Sequence, residues 1–316
     1  MNVIVHHWDA DGICSAAILV NVLEKRGEDF KNVSLFPGIF KFDERIWKRI
    51  EAAKTVYVVD VNMVDEVEKI GKPVVFLDHH IQRRIEKKSV THVNPLIEGR
   101  YVPSASYVVS EFFNQWSWLS AIGAVGDLGK SAFEFDWLRR VLDEYNLSES
   151  EALRLAELVN SPSLVCDLEG VERAVYKVAD SDPKELLRDD EWNDNLKAVE
   201  KEVAKIVERA ENFEKFAIAR FSSKYNVTSI VARRLVWDMK FELAVVINED
   251  YHGYSQVYVR VGKGSEVKYG IGDLIRKLRA LKFNAGGKEE VLGILCERDR
   301  LEEALRVVGG HLGVCI

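Results

Sequence analysis

Long hydrophobic runs are absent from this chain of 316 residues, and none approaches the roughly 18 apolar residues that a membrane-spanning helix needs. The opening segment MNVIVHH also lacks the basic stretch and the long apolar stretch of a signal peptide, so we expect a cytoplasmic protein. Cysteine is scarce, and the four cysteines lie far apart without a C-x-x-C pair: Cys14, Cys166, Cys296 and Cys315. This pattern predicts reduced thiols rather than a zinc ribbon or a disulfide framework.

Charged residues make up 30% of the chain and hydrophobic residues 47%, which is the composition of a globular protein. The net charge of −7, taken alone, argues against nucleic acid as a partner. Its distribution is uneven, because residues 216–316 hold 16 Lys and Arg against 12 Asp and Glu, whereas residues 1–215 hold 28 against 39. This asymmetry fits metal-binding carboxylates in the first part and a phosphate-binding surface in the second. Ordinary surface variation explains the same counts equally well.

The first half of the chain alternates short apolar runs with amphipathic helical patterns, which predicts a parallel sheet covered on both faces. The expected strands are residues 2–6, 33–36, 55–60 and 73–78, and the expected helices are 12–26, 42–54 and 63–71. Residues 103–180 have mostly helical patterns, and strand-like runs return after a long charged helix at 196–216. We therefore predict an α/β protein with a parallel-sheet domain over residues 1–190, a connecting helix over 191–215 and a smaller α/β domain over 216–316.

Acidic residues and histidines gather where three of the predicted strands end. HHWDADG (6–12) follows the first strand, VVDVN (58–62) the third and FLDHH (76–80) the fourth, and Asp127 follows the small apolar run AIGAVG. The carboxyl ends of parallel strands form the usual functional edge of such a sheet. Burying several carboxylates together costs free energy unless cations neutralise them. Histidine and aspartate without thiolate suit Mn²⁺, with Mg²⁺ or Zn²⁺ as alternatives, and this many ligands favours two ions.

Each of these motifs also has an ordinary structural interpretation. Asp11 precedes a helical pattern and could cap that helix. His6 could belong to the core, because strand alternation places His6 and His7 on opposite faces. Several such motifs in order, each at the end of a strand or helix, are harder to explain as caps. The combination therefore favours the metal site.

The order and spacing of the motifs resemble those of the DHH phosphoesterase family. HHWDADG resembles the first motif of that family, VVD ending at Asp60 the second, DHH (78–80) the third and GAVGD (123–127) the fourth. The resemblance covers about residues 2–130. Within the family, the chain resembles the archaeal RecJ-like single-strand exonucleases and, among these, the Hef-associated nuclease in its size and two-domain plan.

The resemblance implies a centre of two divalent cations, usually Mn²⁺, in which Asp60 is the bridging ligand. The ligands that it implies are His7, Asp9, Asp11, Asp60, His79 and Asp127. It further implies that His80 contacts the substrate phosphate or stabilises its developing charge, and that Asp78 orients a histidine. Strand alternation favours His7 over His6 as the first ligand, because His7 faces the same side as Asp9.

Members of the family often carry a DHH-associated C-terminal domain with a GGH loop that grips substrate phosphates. Here AGGKEEVLG (285–293) keeps the glycine spacing but has a lysine for the histidine, whereas VGGHLGV (308–314) keeps the histidine at the C-terminus. The substrate-binding residues that the resemblance implies are Gly286, Gly287 and Lys288, His311 as a second contact, and Arg260. A plain turn is the alternative for the two glycines.

The function that the resemblance implies is a single-strand exonuclease, 3′→5′ by preference, that releases mononucleotides in DNA repair or replication. The run QRRIEKK (82–88) could follow a DNA backbone through Arg83 and Arg84, and Trp8 could stack on a base. A solvated helix face is the ordinary interpretation of these residues. The expected partners are single-stranded nucleic acid and a helicase or repair protein, with a homo-oligomer as a further option. Two alternatives stay open: a nanoRNase or nucleotide bisphosphate phosphatase, and a non-catalytic replication scaffold.

Overall fold

Tertiary contacts divide the chain into two units, Met1–Leu196 and Lys197–Ile316, and each unit has its own hydrophobic core. The structure is a computed structural model that describes residues 1–316, apart from the side chain of Val267. A parallel sheet in the first unit and a second sheet in the other confirm the predicted α/β class. The division falls between residues 196 and 197, whereas the sequence predicts a connector over 191–215.

The sheet of the first unit is parallel throughout and has the strand order β2-β1-β3-β4-β5. Its strands are β1 (Asn2–His6), β2 (Phe30–Ser34), β3 (Val56–Val59), β4 (Val74–Leu77) and β5 (Val90–Val93). The strand predicted at 33–36 begins about three residues later than β2, and β5 was not predicted. Almost every residue of β1, β3 and β4 is buried, because helices cover both faces of a parallel sheet.

The carboxyl ends of the three central strands lie level with one another. His6 of β1 pairs with Val59 of β3, and Val59 pairs with Leu77 of β4. The residues that come next along the chain are His7, Asp60 and Asp78. His7 and Asp60 leave the sheet where β1 meets β3, which is the point where the strand order reverses, and Asp78 leaves it from the next strand, β4.

Helices account for most of the remaining first unit. They are α1 (Ala10–Lys25), α2 (Glu44–Glu51), α3 (Val64–Lys69), α4 (Ala105–Phe113), α5 (Trp118–Leu128), α6 (Asp136–Glu144), α7 (Glu149–Leu164), α8 (Leu168–Asp180), α9 (Pro183–Leu186) and α10 (Asp190–Glu208), which crosses the division. Most of α1 is buried, and it packs on α4, α5 and α8. No helix in the described part of the chain is long and apolar enough to cross a bilayer.

The sheet of the second unit is mixed, with the strand order β10-β11-β9-β8-β7-β6. Its strands are β6 (Glu211–Asn212), β7 (Phe216–Phe221), β8 (Leu243–Tyr251), β9 (Tyr254–Val261), β10 (Asn284–Lys288) and β11 (Val291–Glu297). Its helices are α11 (Thr228–Arg233), α12 (Glu266–Tyr269), α13 (Ile271–Ala280) and α14 (Leu301–Leu312). A π-helical turn over Arg234–Asp238 follows α11 directly. The core of this unit combines one face of the sheet with α13 and α14.

The segment VGGHLGV is helical rather than a phosphate-binding loop, which corrects one alternative from the sequence. Residues 308–312 form the last turn of α14. Leu301, Ala304, Leu305 and Val308 are buried on one side of this helix, at the spacing of an amphipathic helix. Nε2 of His311 lies 3.0 Å from the carbonyl oxygen of Tyr269, so this histidine already has a partner within the unit.

The helical conformation of this segment leads to a prediction for Gly310, which is exposed in α14. A Cβ added at Gly310 would meet no atom within 4 Å. Glycine is unfavourable in a helix interior, so Gly310→Ala should raise the free energy of unfolding by about 0.5–1 kcal/mol. Chemical denaturation followed by circular dichroism measures the change. A loss of stability would instead mean that these residues need the conformational freedom of a glycine loop.

Candidate metal centre

The first group of candidate ligands lies in the turn between β1 and α1 and at the end of β3. Nδ1 of His7 is 2.8 Å from Oδ2 of Asp9 and 3.5 Å from Oδ2 of Asp60. The backbone N–H of Gly12 donates a hydrogen bond of 3.0 Å to Oδ1 of Asp9, so Asp9 also caps α1. The sequence considers Asp11 for this capping role, but Asp11 lies inside the helix. The ligand atoms of His7, Asp9 and Asp60 lie within 4.8 Å of one another, a spacing that suits one cation.

The second group combines α1, the segment after β4 and the end of α5. Nε2 of His79 is 3.2 Å from Oδ2 of Asp127 and 4.0 Å from Oδ2 of Asp11. The ligand atoms of these three residues also lie within 4.8 Å of one another. The two groups together contain all six ligands that the resemblance implies.

Asp60 links the two groups. Its Oδ2 faces His7, and its Oδ1 lies 3.5 Å from Nε2 of His79. The backbone of Asp60 has a φ of 58°, a left-handed conformation that is uncommon outside glycine, asparagine and aspartate. A carboxylate with one oxygen toward each group could contribute a ligand atom to both groups.

Three buried polar atoms at this junction have no hydrogen-bond partner among the described residues. They are Nδ1 of His7, Nε2 of His79 and Oδ2 of Asp60. The close approach of His7 to Asp9 therefore does not have hydrogen-bond geometry. Buried polar atoms in native proteins nearly always have partners, so these three need another explanation. Imidazole nitrogens and carboxylate oxygens without thiolate suit Mn²⁺, Mg²⁺ or Zn²⁺, and the residues fit a divalent-cation centre.

The carboxylates oppose one another's ionisation in the metal-free protein. Burial, followed by the charges of Asp9, Asp11, Asp127 and Asp78, raises the pKa of Asp60 well above its usual value. Burial also raises the pKa of Asp11. A bound cation is the largest local charge in such a site and would reverse this effect.

The carboxylate of Asp11 is held by the N-terminus of α4. Backbone N–H groups of Ala105 and Ser106 donate hydrogen bonds of 2.6 and 2.9 Å to its two oxygens. Asp11 itself is fully buried, and the positive end of the helix dipole favours its negative charge. These two backbone N–H groups were not among the residues predicted from the sequence. Ser104, which caps α4, is a signal that could have located this helix N-terminus.

Asp78 holds His80 at the open side of the site. Oδ1 of Asp78 accepts hydrogen bonds from Nδ1 of His80 and from the backbone N–H of His79, both at 2.7 Å. Burial opposes protonation of His80, but the hydrogen bond and the charge of Asp78 outweigh burial and raise its pKa. The His80 side chain is 38% exposed, compared with 16% for His7 and 14% for His79. His80 can therefore present positive charge to an anion that enters the site.

His6 lies outside the cluster. It is fully buried, its Nδ1 lies 2.7 Å from the carbonyl oxygen of His7, and its Nε2 lies 3.3 Å from Oδ1 of Asn32. Burial lowers the pKa of His6 to about 4, so the ring is neutral at physiological pH. The structure thus places His7 among the candidate ligands and gives His6 a structural role.

The model of the DHH family, N-terminal domain, matches residues 2–128, the range that holds every side chain of the two groups. This chain carries a DHH-family N-terminal domain. No curated protein sequence matches the chain.

Solved structures similar to the whole chain include RecJ from Thermus thermophilus in complex with Mn²⁺, at 19% identity and a TM-score of 0.68. That match covers 99% of this chain and 52% of RecJ, so this chain spans about half of its length. Exonuclease RecJ bound to manganese matches at 18% identity and a TM-score of 0.65, covering 100% of this chain and 90% of that protein. An exopolyphosphatase-related protein from Bacteroides fragilis matches at 15% identity and a TM-score of 0.54, covering 99% and 91%. At these identities the similarity shows the fold of the chain and leaves its substrate open.

The basic run that follows the DHH motif is engaged in local contacts. Nη2 of Arg83 lies 2.7 Å from Asp65 and 2.6 Å from Glu68, and Nη2 of Arg84 lies 3.2 Å from Glu98. Residues 81–88 form no helix, so the interpretation of this run as a solvated helix face is wrong. A phosphate backbone would have to compete with these carboxylates for both arginines.

The aromatic side chains beside the metal cluster differ from the sequence expectation. Trp8 is only 6% exposed, so it is not available to stack on a base. Phe40, in the segment between β2 and α2, is 51% exposed instead. Its ring packs on Trp8 with a centroid distance of 5.0 Å. Nothing in the sequence near His7 indicates that Phe40 reaches this position.

In the second unit, Gly286 and Gly287 lie in a strand rather than in an irregular loop. They belong to β10, which forms a hairpin with β11. Gly287 has a φ of 154°, and a Cβ at this position would lie 1.9 Å from the carbonyl oxygen of Val291. Only glycine fits there, so the geometry of the hairpin is sufficient to explain Gly287.

Three cationic residues lie on or beside this hairpin. Arg260 of β9 pairs with Val291, which pairs with Lys288, so these residues form one cross-strand row. The Arg260 guanidinium lies 4.9 Å from the Trp237 ring centroid, and its buried Nε has no hydrogen-bond partner among the described residues. Nη2 of Arg279, a residue that the sequence analysis does not include, lies 3.7 Å from the position that a Cβ at Gly286 would occupy. This arrangement can bind an anion within the second unit.

Proposed function

We propose that this DHH protein is a metal-dependent phosphodiesterase that removes mononucleotides from single-stranded nucleic acid, DNA by preference, in the 3′→5′ direction. The observation that carries this proposal is the Asp60 carboxylate, which turns one oxygen toward each of two ligand groups. A site of this kind is suited to a phosphate group held between two cations. DNA repair or replication, with a helicase or repair protein as a partner, is the setting that we propose for it.

Two divalent cations at such a site, Mn²⁺ by preference, would supply charge for the phosphate oxygens and an activated water. The protein contributes the geometry. Asp60 and Asp11 are both buried, and two backbone N–H groups also hold the Asp11 carboxylate, so Asp11 needs little rearrangement. His80, with its raised pKa and its partner Asp78, would stabilise negative charge that develops on the phosphate.

The second unit offers a separate set of groups for an anionic substrate. Arg260, Lys288 and Arg279 lie around a hairpin with glycine at position 286. Arginine suits phosphate because its guanidinium presents several N–H donors in a plane. We propose that this surface binds phosphates of the nucleic acid that are not being cleaved.

A second candidate function is the degradation of very short oligonucleotides or nucleotide bisphosphates. The observation that favours it is the pairing of Arg83 and Arg84 with Asp65, Glu68 and Glu98. These ion pairs reduce the positive charge that a long strand could follow beyond the metal cluster. The two functions share one chemistry and differ in substrate length.

Labelled single strands of two to thirty nucleotides, incubated with Mn²⁺, Mg²⁺ or a chelator, test both candidates. We expect a ladder that shortens one nucleotide at a time in Mn²⁺, and no cleavage with the chelator. Ladders from strands labelled at either end give the direction. Activity confined to the two- to five-nucleotide substrates would favour the second candidate, and no hydrolysis of any strand would refute the proposed exonuclease.

A further inference from the structure

Phe40 is a large apolar residue whose side chain is exposed beside the metal cluster instead of being buried in the core. It lies in the segment between β2 and α2, and its side chain is 51% exposed. Its ring centroid is 6.0 Å from that of the candidate ligand His7, and the two planes are inclined by only 28°. An aromatic surface therefore lies directly beside the first group of metal ligands.

Phe40 is held in place by a second aromatic ring. Trp8 is buried, contacts His7 with a centroid distance of 3.9 Å and meets Phe40 edge to face at 5.0 Å. Aromatic pairs prefer this edge-to-face arrangement, which adds to the free energy of burial. Trp8 and His7 thus both contact the Phe40 ring, and about half of the residue stays accessible to solvent.

An exposed aromatic ring beside a phosphate site distinguishes between classes of phosphate compound. Inorganic polyphosphate and pyrophosphate consist only of phosphate groups and have no flat apolar surface that could stack on an aromatic ring. A nucleotide carries a base one sugar away from its phosphate, and every base has a face that stacks on an aromatic side chain. The position of Phe40 beside His7 matches this combination of groups.

We propose that Phe40 stacks on the base of the nucleotide whose phosphate is held at the metal cluster, and that this contact makes the site specific for nucleotides over inorganic polyphosphate. The inference rests on the proposed function only in taking the cluster as the place where the phosphate binds. Phe40 is then a specificity-determining residue, and Trp8 is the positioning residue that holds it.

Binding measured without turnover tests this inference independently of hydrolysis. With Ca²⁺ in place of Mn²⁺, we expect Phe40→Ala to weaken the binding of a dinucleotide by about tenfold, a typical effect of losing one base–aromatic stack. Binding of inorganic tripolyphosphate should stay within twofold of wild type. Phe40→Trp should restore dinucleotide binding, because tryptophan also offers a stacking face. Phe112→Ala is the matched control, since Phe112 is a 45% exposed phenylalanine on α4 that contacts Phe113 rather than the ligands.

The outcomes separate this inference from the proposed function. Equal loss of binding for dinucleotide and tripolyphosphate, or no loss for either, would overturn the role of Phe40 even if the wild type degrades single strands. In a protein that hydrolyses strands, Phe40→Ala should also raise KM about tenfold for an ordinary terminal nucleotide and leave KM unchanged for an abasic one. A wild type that binds dinucleotide through Phe40 but hydrolyses nothing would refute the proposed function alone.

Discussion

Replacement of Asp60 by asparagine is expected to lower the rate of hydrolysis by more than about 100-fold while the metal-free protein stays at least as stable as wild type. Loss of an outer partner of a metal ligand typically costs 10–100-fold, and Asp60 faces both ligand groups directly, so the effect should be larger. Asparagine has the shape of aspartate and tolerates the left-handed backbone at this position. The variant therefore removes charge without disturbing the fold.

The metal-free Asp60→Asn variant should be at least as stable as wild type because the pKa of Asp60 is raised in the folded protein. Burial and four neighbouring carboxylates raise this pKa in the folded protein above its value in the unfolded chain. A group of this kind contributes stability that is fully present below the unfolded pKa and is lost as the pH rises through the folded pKa. In a chelator, the melting temperature of Asp60→Asn should therefore exceed that of wild type by an amount that grows with pH.

Melting curves with and without Mn²⁺ measure both effects together. Mn²⁺ that binds only the folded protein should raise the melting temperature of wild type, and this shift should be absent in Asp60→Asn. Asp136→Asn is the matched control, because Asp136 has a side chain that is 87% exposed and lies at the start of α6. If Asp60→Asn kept both the wild-type rate of hydrolysis and the wild-type rise in melting temperature with Mn²⁺, the proposed role of this carboxylate between the two ligand groups would be refuted.

Replacement of Gly123 by alanine is expected to destabilise the first unit by about 1–3 kcal/mol and to weaken metal binding. Gly123 lies in α5, where a Cβ would come within 2.2 Å of Oγ of Ser106 and 2.5 Å of Oδ1 of Asp11. Ser106 and Asp11 are both fully buried. The Asp11 oxygens also accept hydrogen bonds from two backbone N–H groups at the start of α4. The added methyl group must therefore displace α5, the Ser106 side chain or the Asp11 carboxylate.

Denaturation curves and the Mn²⁺-induced shift of the melting temperature measure the two consequences of Gly123→Ala. Gly71→Ala is a suitable control, because a Cβ there meets no atom within 4 Å and the substitution should be neutral or slightly stabilising. A second variant, Ser106→Gly in the Gly123→Ala background, removes the nearest side-chain atoms and should recover part of the stability. Unchanged stability and metal binding in Gly123→Ala would mean that α5 does not pack this closely on Asp11.

The local sequence is sufficient to predict the three central strands of the parallel sheet and the residues at their carboxyl ends. Strongly apolar runs at 2–6, 55–60 and 73–78 form strands because buried parallel strands have no polar face, and the match of residues 2–128 to the DHH family agrees with this prediction. Parallel strands direct their carboxyl ends to the same edge, so His7, Asp60 and His79 had to lie near one another. The glycine loop considered at 308–314 was wrong over residues 308–312, because the apolar spacing that begins at Leu301 continues as a helix through the glycines.

Only the tertiary structure determined how these groups face one another. Asp60 directs its two oxygens to different ligand groups, and its backbone has a left-handed conformation that no neighbouring residue type demands. Asp11 accepts hydrogen bonds from two backbone N–H groups of a helix that begins more than ninety residues later in the chain. The segment between β2 and α2 carries Phe40 onto Trp8, which leaves the tryptophan buried and the phenylalanine exposed. Periodicity describes one element at a time, whereas these contacts join elements distant in the chain and depend on how those elements pack.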